Sequence, residues 1–458
     1  MDTTVDSMTT TSTALLTDMY ELTMLDSAIH SGTAFRQSVF EVFGRRLSGG
    51  RRYGVVAGTA RILDAVEKFR FNAEEIDYLR SQNFLSEQTL DFLANYRFSG
   101  SMYGYPEGEC YFPNSPILTV RGTFAETCIL ETVLLSILNY DSAVATAASR
   151  MTTAAHDRPC LDMGARRAHE IAAVAAARAA VIGGFMGTSN LEAAREYGIK
   201  PIGTAAHSFT LLHDSEEESF AAQIATMGTQ TTLLVDTYNV TEGVKKAVEA
   251  ARAAGGELGA VRLDSGDLVA SAFTVRQQLD DLGATSTKIT VTSDLDEYAI
   301  AALGAAPVDS YGVGTKLVTG SGHPTAELVY KLVARENADG TWKEVSKKSD
   351  HKASVGGLKI AGRRHDETGR AVEEVVVSAR DYQQGLDYLA SQHARPLQVT
   401  LIDNGVINEM YREPDSLALA AERHRNSRAA LPYAAWRLSQ GEPGIPTRLE
   451  DVFEGDDE

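Results

Sequence analysis

The chain has 458 residues, too many for one ordinary hydrophobic core, so at least two domains are expected. With 43% hydrophobic and 23% charged residues it has the make-up of a soluble globular protein. A formal net charge of −19 argues against non-specific binding of nucleic acid and against docking on an anionic membrane, so any anionic substrate must be met by basic residues gathered locally.

The three cysteines, Cys110, Cys128 and Cys160, are far apart, lack zinc-ligand spacing and cannot all pair, which fits a reducing cytoplasm. No segment reads as transmembrane; the most apolar helix candidate, residues 171–185, is interrupted by Arg178. The opening MDTTVDSMTTTST has no basic region and is no signal peptide. Residues 1–13, like the acidic residues 454–458, read as a disordered tail.

From Ala14, LLTDMYELTML has helical spacing with Thr17 or Asp18 near its start. Tyr20 lies inside this helix, where a half-buried core position is the ordinary reading. Residues 38–43 (SVFEVF) alternate like a strand and run into Gly44-Arg45-Arg46 and a Gly49-Gly50-Arg51-Arg52 turn, a phosphate grip or a solvated turn. Helical patterns continue to about Tyr96, and residues 109–120 give short strands and turns. Residues 126–150 read as one long apolar helix leading out of an N-terminal α+β domain (14–125) into a second domain (126–340).

From about Pro159, apolar strands alternate with Ala-rich amphipathic helices. The strand ends fall at residues 161–164, 180–185, 202–207, 232–236, 259–264, 289–294, 310–315 and 328–332. Eight such units predict an α/β fold with a (β/α)₈ barrel; the absence of a Gly-x-Gly-x-x-Gly turn after the first strand disfavours an open doubly wound sheet. In a barrel the C-terminal strand ends converge on one mouth, and here they read DMGARR, GGFMGTSN, GTAAHS, VDTYN, RLDSGD, TSDLDE and YGVGTK. His207, among residues too small to hide it, either meets a ligand or ties down a loop. Arg262 and Asp264, two apart, point the same way. Asp264 and Asp294 either hold a magnesium ion together with substrate phosphates or pair with arginines. Gly312, Gly314 and Thr315 offer backbone N–H groups to an anion, although the corner is not a Walker A loop. Residues 341–364 are basic, either a solvated run or a loop over anionic ligand. The remainder of 341–458 reads as strands near 373–379 and 397–401 and a helix over 416–431 that pack back on the N-terminal domain.

Taken together, LLTDMYELTM, SVFEVFGRR, DMGARRAHE, GGFMGTSN, GTAAHSF, VRLDSGDL, TSDLDEY and YGVGTKLVT resemble the nicotinate phosphoribosyltransferases, a type II phosphoribosyltransferase family. The resemblance runs from about Leu15 to beyond Arg363 and is weak in the C-terminal third of the non-barrel part. The stretch from Leu233 through VDTYN resembles the sugar-phosphate motif of the other, flavodoxin-like class. It lacks the second adjacent carboxylate, so it reads as a barrel strand end.

The family resemblance implies ATP-coupled synthesis of nicotinate mononucleotide from nicotinate and 5-phosphoribosyl 1-pyrophosphate, with release of pyrophosphate, ADP and phosphate. This would be the first step of NAD salvage from nicotinate, in the cytoplasm. It places the pyridine ring between Phe185 and Tyr20, the latter from the second subunit of a homodimer with shared sites. It assigns Arg262, Thr204 and Arg166 to the nicotinate carboxylate and nearby groups, and Gly312, Gly314 and Thr315 to the 5-phosphate. Arg45, Arg150 and Lys352 face the pyrophosphate, Asp264 and Asp294 the ribose or magnesium, and His207 carries a transient phosphoryl group. A carboxylate such as Asp214 would orient the histidine. Two alternatives stay open: a nicotinamide phosphoribosyltransferase and a non-catalytic nucleotide-binding homologue.

Overall fold

The computed structural model describes residues 11–347, 355–412 and 416–452. The chain divides into two compact units, one of residues 1–142 and 325–458, the other of residues 143–324. The fold is mixed α/β.

The first unit is built on a seven-stranded antiparallel sheet. Its order is Trp342–Glu344, Leu328–Glu336, Gln37–Gly44, Leu118–Thr123, Ser101–Gly104, Val399–Asp403 and Val406–Ile407. Seven of the eight residues of Gln37–Gly44 are buried, as expected of a central strand. Phe40 stacks on Tyr330 of the neighbouring strand with ring centroids 4.7 Å apart. Helix Met19–His30 buries Leu22, Leu25 and Ile29 in the same core and begins after Asp18, as the residues near its start suggest. A smaller four-stranded sheet, Ala394–Pro396, Leu358–His365, Ala371–Ala379 and Thr447–Asp451, completes the unit. Between these strands lies a buried charge cluster. Arg363, with no exposed surface, donates to Glu109 at 2.7 Å and to Glu374 at 2.5 Å, and Arg395 donates to both oxygens of Glu109 at 3.1 Å.

The expected single helix over 126–150 is two helices. Thr123 and Glu126 form a capping box that starts a short helix, Phe124–Cys128, and a second helix then runs from Glu131 to Ala155.

The second unit carries a five-stranded parallel sheet in the order Cys160–Asp162, Ser310–Val313, Lys288–Ser293, Ala260–Leu263, Thr232–Leu234. Single-residue bridges from Asp162 to Thr188 and from Thr188 to Pro201 extend it on one side. Helices such as Val240–Ala253 and Leu268–Asp281 connect successive strands, each opened by a side-chain cap, Asn239 and Asp267 respectively.

Three of the eight expected strands differ. Residues 180–185 include the end of helix Glu170–Ile182: an alanine-rich run buried all round reads equally as strand or helix, and its length decides for helix. Residues 202–207 keep only the bridge at Pro201, and His207 opens a helix instead of closing a strand. Residues 328–332 belong to the other unit, where Leu328–Glu336 runs antiparallel to Gln37–Gly44 with Leu328 opposite Gly44. Among the described residues, no strand pairing joins Thr232–Leu234 back to the Pro201 side, so the eight-stranded closed ladder is not formed. No helix among the described residues is long and apolar enough to cross a membrane.

Candidate active site

Parallel register brings the polar strand ends of the second unit together. Leu234 lies opposite Arg262, and Leu263 opposite Val291. Continuing each ladder past its last pair aligns Asp236 with Asp264 and Asp264 with Thr292. The hydrogen bonds follow that alignment. Asp264 N donates to Asp236 Oδ2 at 2.7 Å, Ser265 Oγ donates to the same oxygen at 3.1 Å, and Thr292 Oγ1 donates to Asp264 Oδ1.

His207 stands above this pair. Its Nδ1 lies 3.0 Å from Thr237 Oγ1, while its Nε2 is 3.9 Å from Asp236 Oδ1 and 3.9 Å from Asp264 Oδ2. The Asp236 side chain is only 3% exposed, and its Oδ1 is buried without a hydrogen-bond partner among the described residues. A buried carboxylate oxygen without a donor is costly unless something cationic or protic comes to it, and the imidazole lies 3.9 Å away. The ring's hydrogen-bond partner is Thr237, where Asp214 was expected to orient it.

Arg262 points into the same mouth. Its Nη2 donates to Ala205 O at 2.8 Å, tying it to the segment that carries Thr204 and His207, and its Nε is buried without a partner among the described residues. Burial holds the guanidinium below its ordinary value, Asp264 and Asp236 counteract this, and the positive charge of Arg166 adds to it. Arg166 and Arg262 thus share one electrostatic neighbourhood. Arg166 and Thr204 are exposed, as is Asp294, which directly follows strand Lys288–Ser293.

Gly312 and Gly314 flank Val313 at the end of strand Ser310–Val313. A Cβ on Gly312 would come within 2.5 Å of the Thr292 side chain and 2.7 Å of Met163 Sδ, so only glycine fits there. Thr315 opens the one-turn helix Thr315–Val318, with Gly314 O accepting from Leu317 N at 3.1 Å.

Two of the expected ligand residues are buried. Phe185 is 3% exposed and belongs to the core. Arg150 is buried in helix Glu131–Ala155, where its Nε donates to Glu297 at 2.9 Å and its Nη2 to the Tyr298 hydroxyl at 3.3 Å. Tyr20 and Arg45 belong to the first unit. Tyr20 is 46% exposed on helix Met19–His30, and Arg45, after strand Gln37–Gly44, has a buried Nε without a partner among the described residues. Lys352 lies outside the described residues.

Asp236 and Thr237 were missing from the sequence-derived site. The signal was present in VDTYN: an aspartate at a strand end, in line with Asp264 once the strands are set side by side. Among the described residues, no group of three or more His, Cys, Asp or Glu side chains is arranged to hold a metal ion by itself.

Residues 15–139 match the nicotinate phosphoribosyltransferase (NAPRTase) N-terminal domain, and residues 159–375 match the nicotinate phosphoribosyltransferase (NAPRTase) family. The chain is 51% identical over 445 residues to nicotinate phosphoribosyltransferase pncB1 of Mycobacterium tuberculosis, spanning 95% of this chain and 94% of that one. It is 37% identical over 350 residues to the nicotinate phosphoribosyltransferase of Bacillus subtilis, spanning 75% and 71%. The fold is similar to the crystal structure of human nicotinic acid phosphoribosyltransferase, with a TM-score of 0.79 at 23% identity over 95% of this chain and 97% of that one. It is also similar to nicotinate-nucleotide pyrophosphorylase from Pyrococcus furiosus, with a TM-score of 0.72 at 24% identity over 91% and 95%.

Proposed function

The chain belongs to the nicotinate phosphoribosyltransferase family, and from that premise we propose that it joins nicotinate to 5-phosphoribosyl 1-pyrophosphate, giving nicotinate mononucleotide and pyrophosphate, with ATP hydrolysis coupled through His207. The product makes this the entry step of NAD salvage from nicotinate. The observation that carries the reading is the convergence of Arg262, Asp264, Asp236 and His207 on one strand-end mouth.

The chemistry follows from where charge develops. Breaking the C1–O bond of the sugar builds oxocarbenium character at C1 and negative charge on the departing pyrophosphate. Asp264, anchored through Asp236, keeps one carboxylate oxygen facing the mouth and stabilises the sugar cation. Arg262 and Arg166 bind the nicotinate carboxylate with Thr204 beside them, and the pyridine nitrogen needs only to be held in line. The backbone of Gly312, Gly314 and Thr315 receives the 5-phosphate. Asp264 and the exposed Asp294 are the carboxylates that would hold a magnesium ion with substrate oxygens completing the shell, and it would neutralise diphosphate charge.

In the coupled step a neutral ring nitrogen of His207 attacks the γ-phosphorus of ATP. An N–P bond forms, the β,γ-bridging P–O bond breaks and ADP leaves; water later cleaves the N–P bond to give phosphate. The added charge would recruit nearby cations and tighten the hold on the phosphoribosyl donor. Arg45 and Arg150 are assigned to the pyrophosphate, the latter also paired with Glu297.

A homodimer with shared sites is part of the proposal. Leu15, Leu16, Met19, Tyr20 and Met24 are all substantially exposed along one short stretch, an apolar strip that a second copy would cover while delivering the Tyr20 ring. The deciding experiment mixes the protein with phosphoribosyl pyrophosphate, ATP, magnesium and either nicotinate or nicotinamide, and follows mononucleotides by mass spectrometry. Nicotinate mononucleotide with pyrophosphate release is the expected result. Preference for nicotinamide, or binding without turnover, would overturn the reading.

A further inference from the structure

Asp162 ends strand Cys160–Asp162, is 1% exposed, and has no part in the steps above. Both its carboxylate oxygens are committed. Oδ1 accepts from Gly164 N at 2.8 Å, and Oδ2 accepts from Thr188 Oγ1 at 2.6 Å. Thr188 Oγ1 in turn accepts from Asn190 N at 3.0 Å. These contacts sit where the sheet is weakest, because Asp162, Thr188 and Pro201 are linked by isolated bridges and not by full ladders. Backbone bonds from Asp162 N to Gly187 O at 2.9 Å and from Ser189 N to Asp162 O at 2.8 Å close the same seam.

The turn that Asp162 pins lies flat on the phosphate corner. A Cβ on Gly164 would come within 2.4 Å of the Val318 side chain and 2.9 Å of Gly314 O, and Met163 N donates to Val313 O at 2.8 Å. Arg166 follows two residues later, inside the 3-10 turn Ala165–Arg167. On the other side, the segment leading to Thr204 and His207 departs from Pro201, the far end of the bridged seam.

We infer that Asp162 is a positioning residue: through Gly164 and Thr188 it clasps the Arg166 turn and the 187–190 loop to the Gly312–Thr315 corner, fixing the nicotinate end of the site relative to the sugar-phosphate end. The inference rests on the proposed reaction for its kinetic consequences. It requires the shape of a carboxylate and not its charge. An asparagine can accept from Gly164 N and donate from Nδ2 to Thr188 Oγ1, whose hydroxyl accepts as readily as it donates. Burial pushes the Asp162 carboxyl up, in keeping with a group whose charge is dispensable.

The test compares Asp162→Asn with Asp162→Ala. The asparagine variant should keep kcat/KM within about threefold of the parent for both substrates. The alanine variant should raise KM for nicotinate about tenfold, through misplacement of the Arg166 turn, and should narrow the preference for nicotinate over nicotinamide. Hydrogen exchange should quicken in peptides covering residues 163–168 and 187–190 in the alanine variant alone. An asparagine variant as damaged as the alanine one, or an alanine variant with unchanged KM and exchange, overturns the inference. Should Asp162→Ala not fold, Thr188→Val against Thr188→Ser replaces it: valine should impair and serine restore, and equal behaviour refutes the clasp. If the parent protein makes no nicotinate mononucleotide, the proposed reaction fails, while the exchange comparison still decides the clasp.

Discussion

Replacing Arg262 by Gln separates recognition from folding. Among the described residues the Arg262 side chain makes one hydrogen bond, from Nη2 to Ala205 O, and its buried Nε has no partner. Losing that internal bond costs about 1 kcal/mol, which for a unit of this size lowers Tm by about 2–4 °C. The effect on recognition is larger. A charge-assisted bond to the nicotinate carboxylate is worth about 1.5–3 kcal/mol, and glutamine cannot supply the paired donors. The expected loss in kcat/KM for nicotinate is therefore about 10-fold to 150-fold. Nicotinamide, which lacks the carboxylate, should lose far less. Steady-state kinetics with both pyridines, alongside a thermal melt, measures all three quantities. An equal loss for the two pyridines, or a Tm drop beyond about 10 °C, would refute the assignment of Arg262 to the carboxylate.

Three further outcomes are expected. His207→Ala should fold normally, lose ATP stimulation and retain a weak ATP-independent transfer. With γ-labelled ATP the parent should carry acid-labile, base-stable label on the peptide holding residue 207, and His213→Ala should keep it, since His213 Nδ1 faces its own helix at Phe209 O, 2.8 Å away. Tyr20→Ala should raise KM for nicotinate by about tenfold, because stacking on an aromatic ring is worth roughly 1–3 kcal/mol, and mixing it with His207→Ala should restore activity through hybrid dimers; a fully active monomer in sedimentation would end that idea. Glu109→Gln should flatten the acid limb of the stability profile. Burial alone would raise the Glu109 carboxyl, but Arg363 and Arg395 outweigh it and bring it down to about 2 from 4.5. An acid whose pKa is depressed on folding stabilises above its unfolded value and loses that contribution as pH falls from about 4.5 through about 2, an upper figure on the order of 3 kcal/mol. Glu374, raised by burial, offsets part of it, and urea unfolding of both proteins across this range measures the difference.

What could be read from the chain beforehand was the chemistry of strand ends. RLDSGD, TSDLDE and YGVGTK each place polar or glycine residues at the close of an apolar run, and strands Ala260–Leu263, Lys288–Ser293 and Ser310–Val313 stand where those runs are. Local periodicity could not say which strands pair. Residues 328–332 have the right pattern for a parallel barrel strand, but the pattern is silent about Gln37–Gly44, nearly three hundred positions earlier, against which Leu328–Glu336 lies antiparallel. Burial of single side chains was equally hidden. Phe185 and Arg150 are of the right types for a pyridine and a pyrophosphate, yet the core takes the first and Glu297 the second.

Asp236 shows the third kind of gap. VDTYN marks an aspartate at a strand end, but its place beside Asp264 arises only when Leu234 comes opposite Arg262. That register sets two carboxylates side by side beneath one imidazole. The backbone N–H of Asp264 ties the pair together, leaving Asp236 Oδ1 without a hydrogen bond among the described residues and 3.9 Å from the His207 ring. The same logic runs through Asp162, whose carboxylate is spent on backbone and hydroxyl donors and not on a counter-ion. In this sheet one aspartate at a strand end braces its neighbour beneath His207 and another shapes the turn. Only the partners of each oxygen, set by register, tell the two apart.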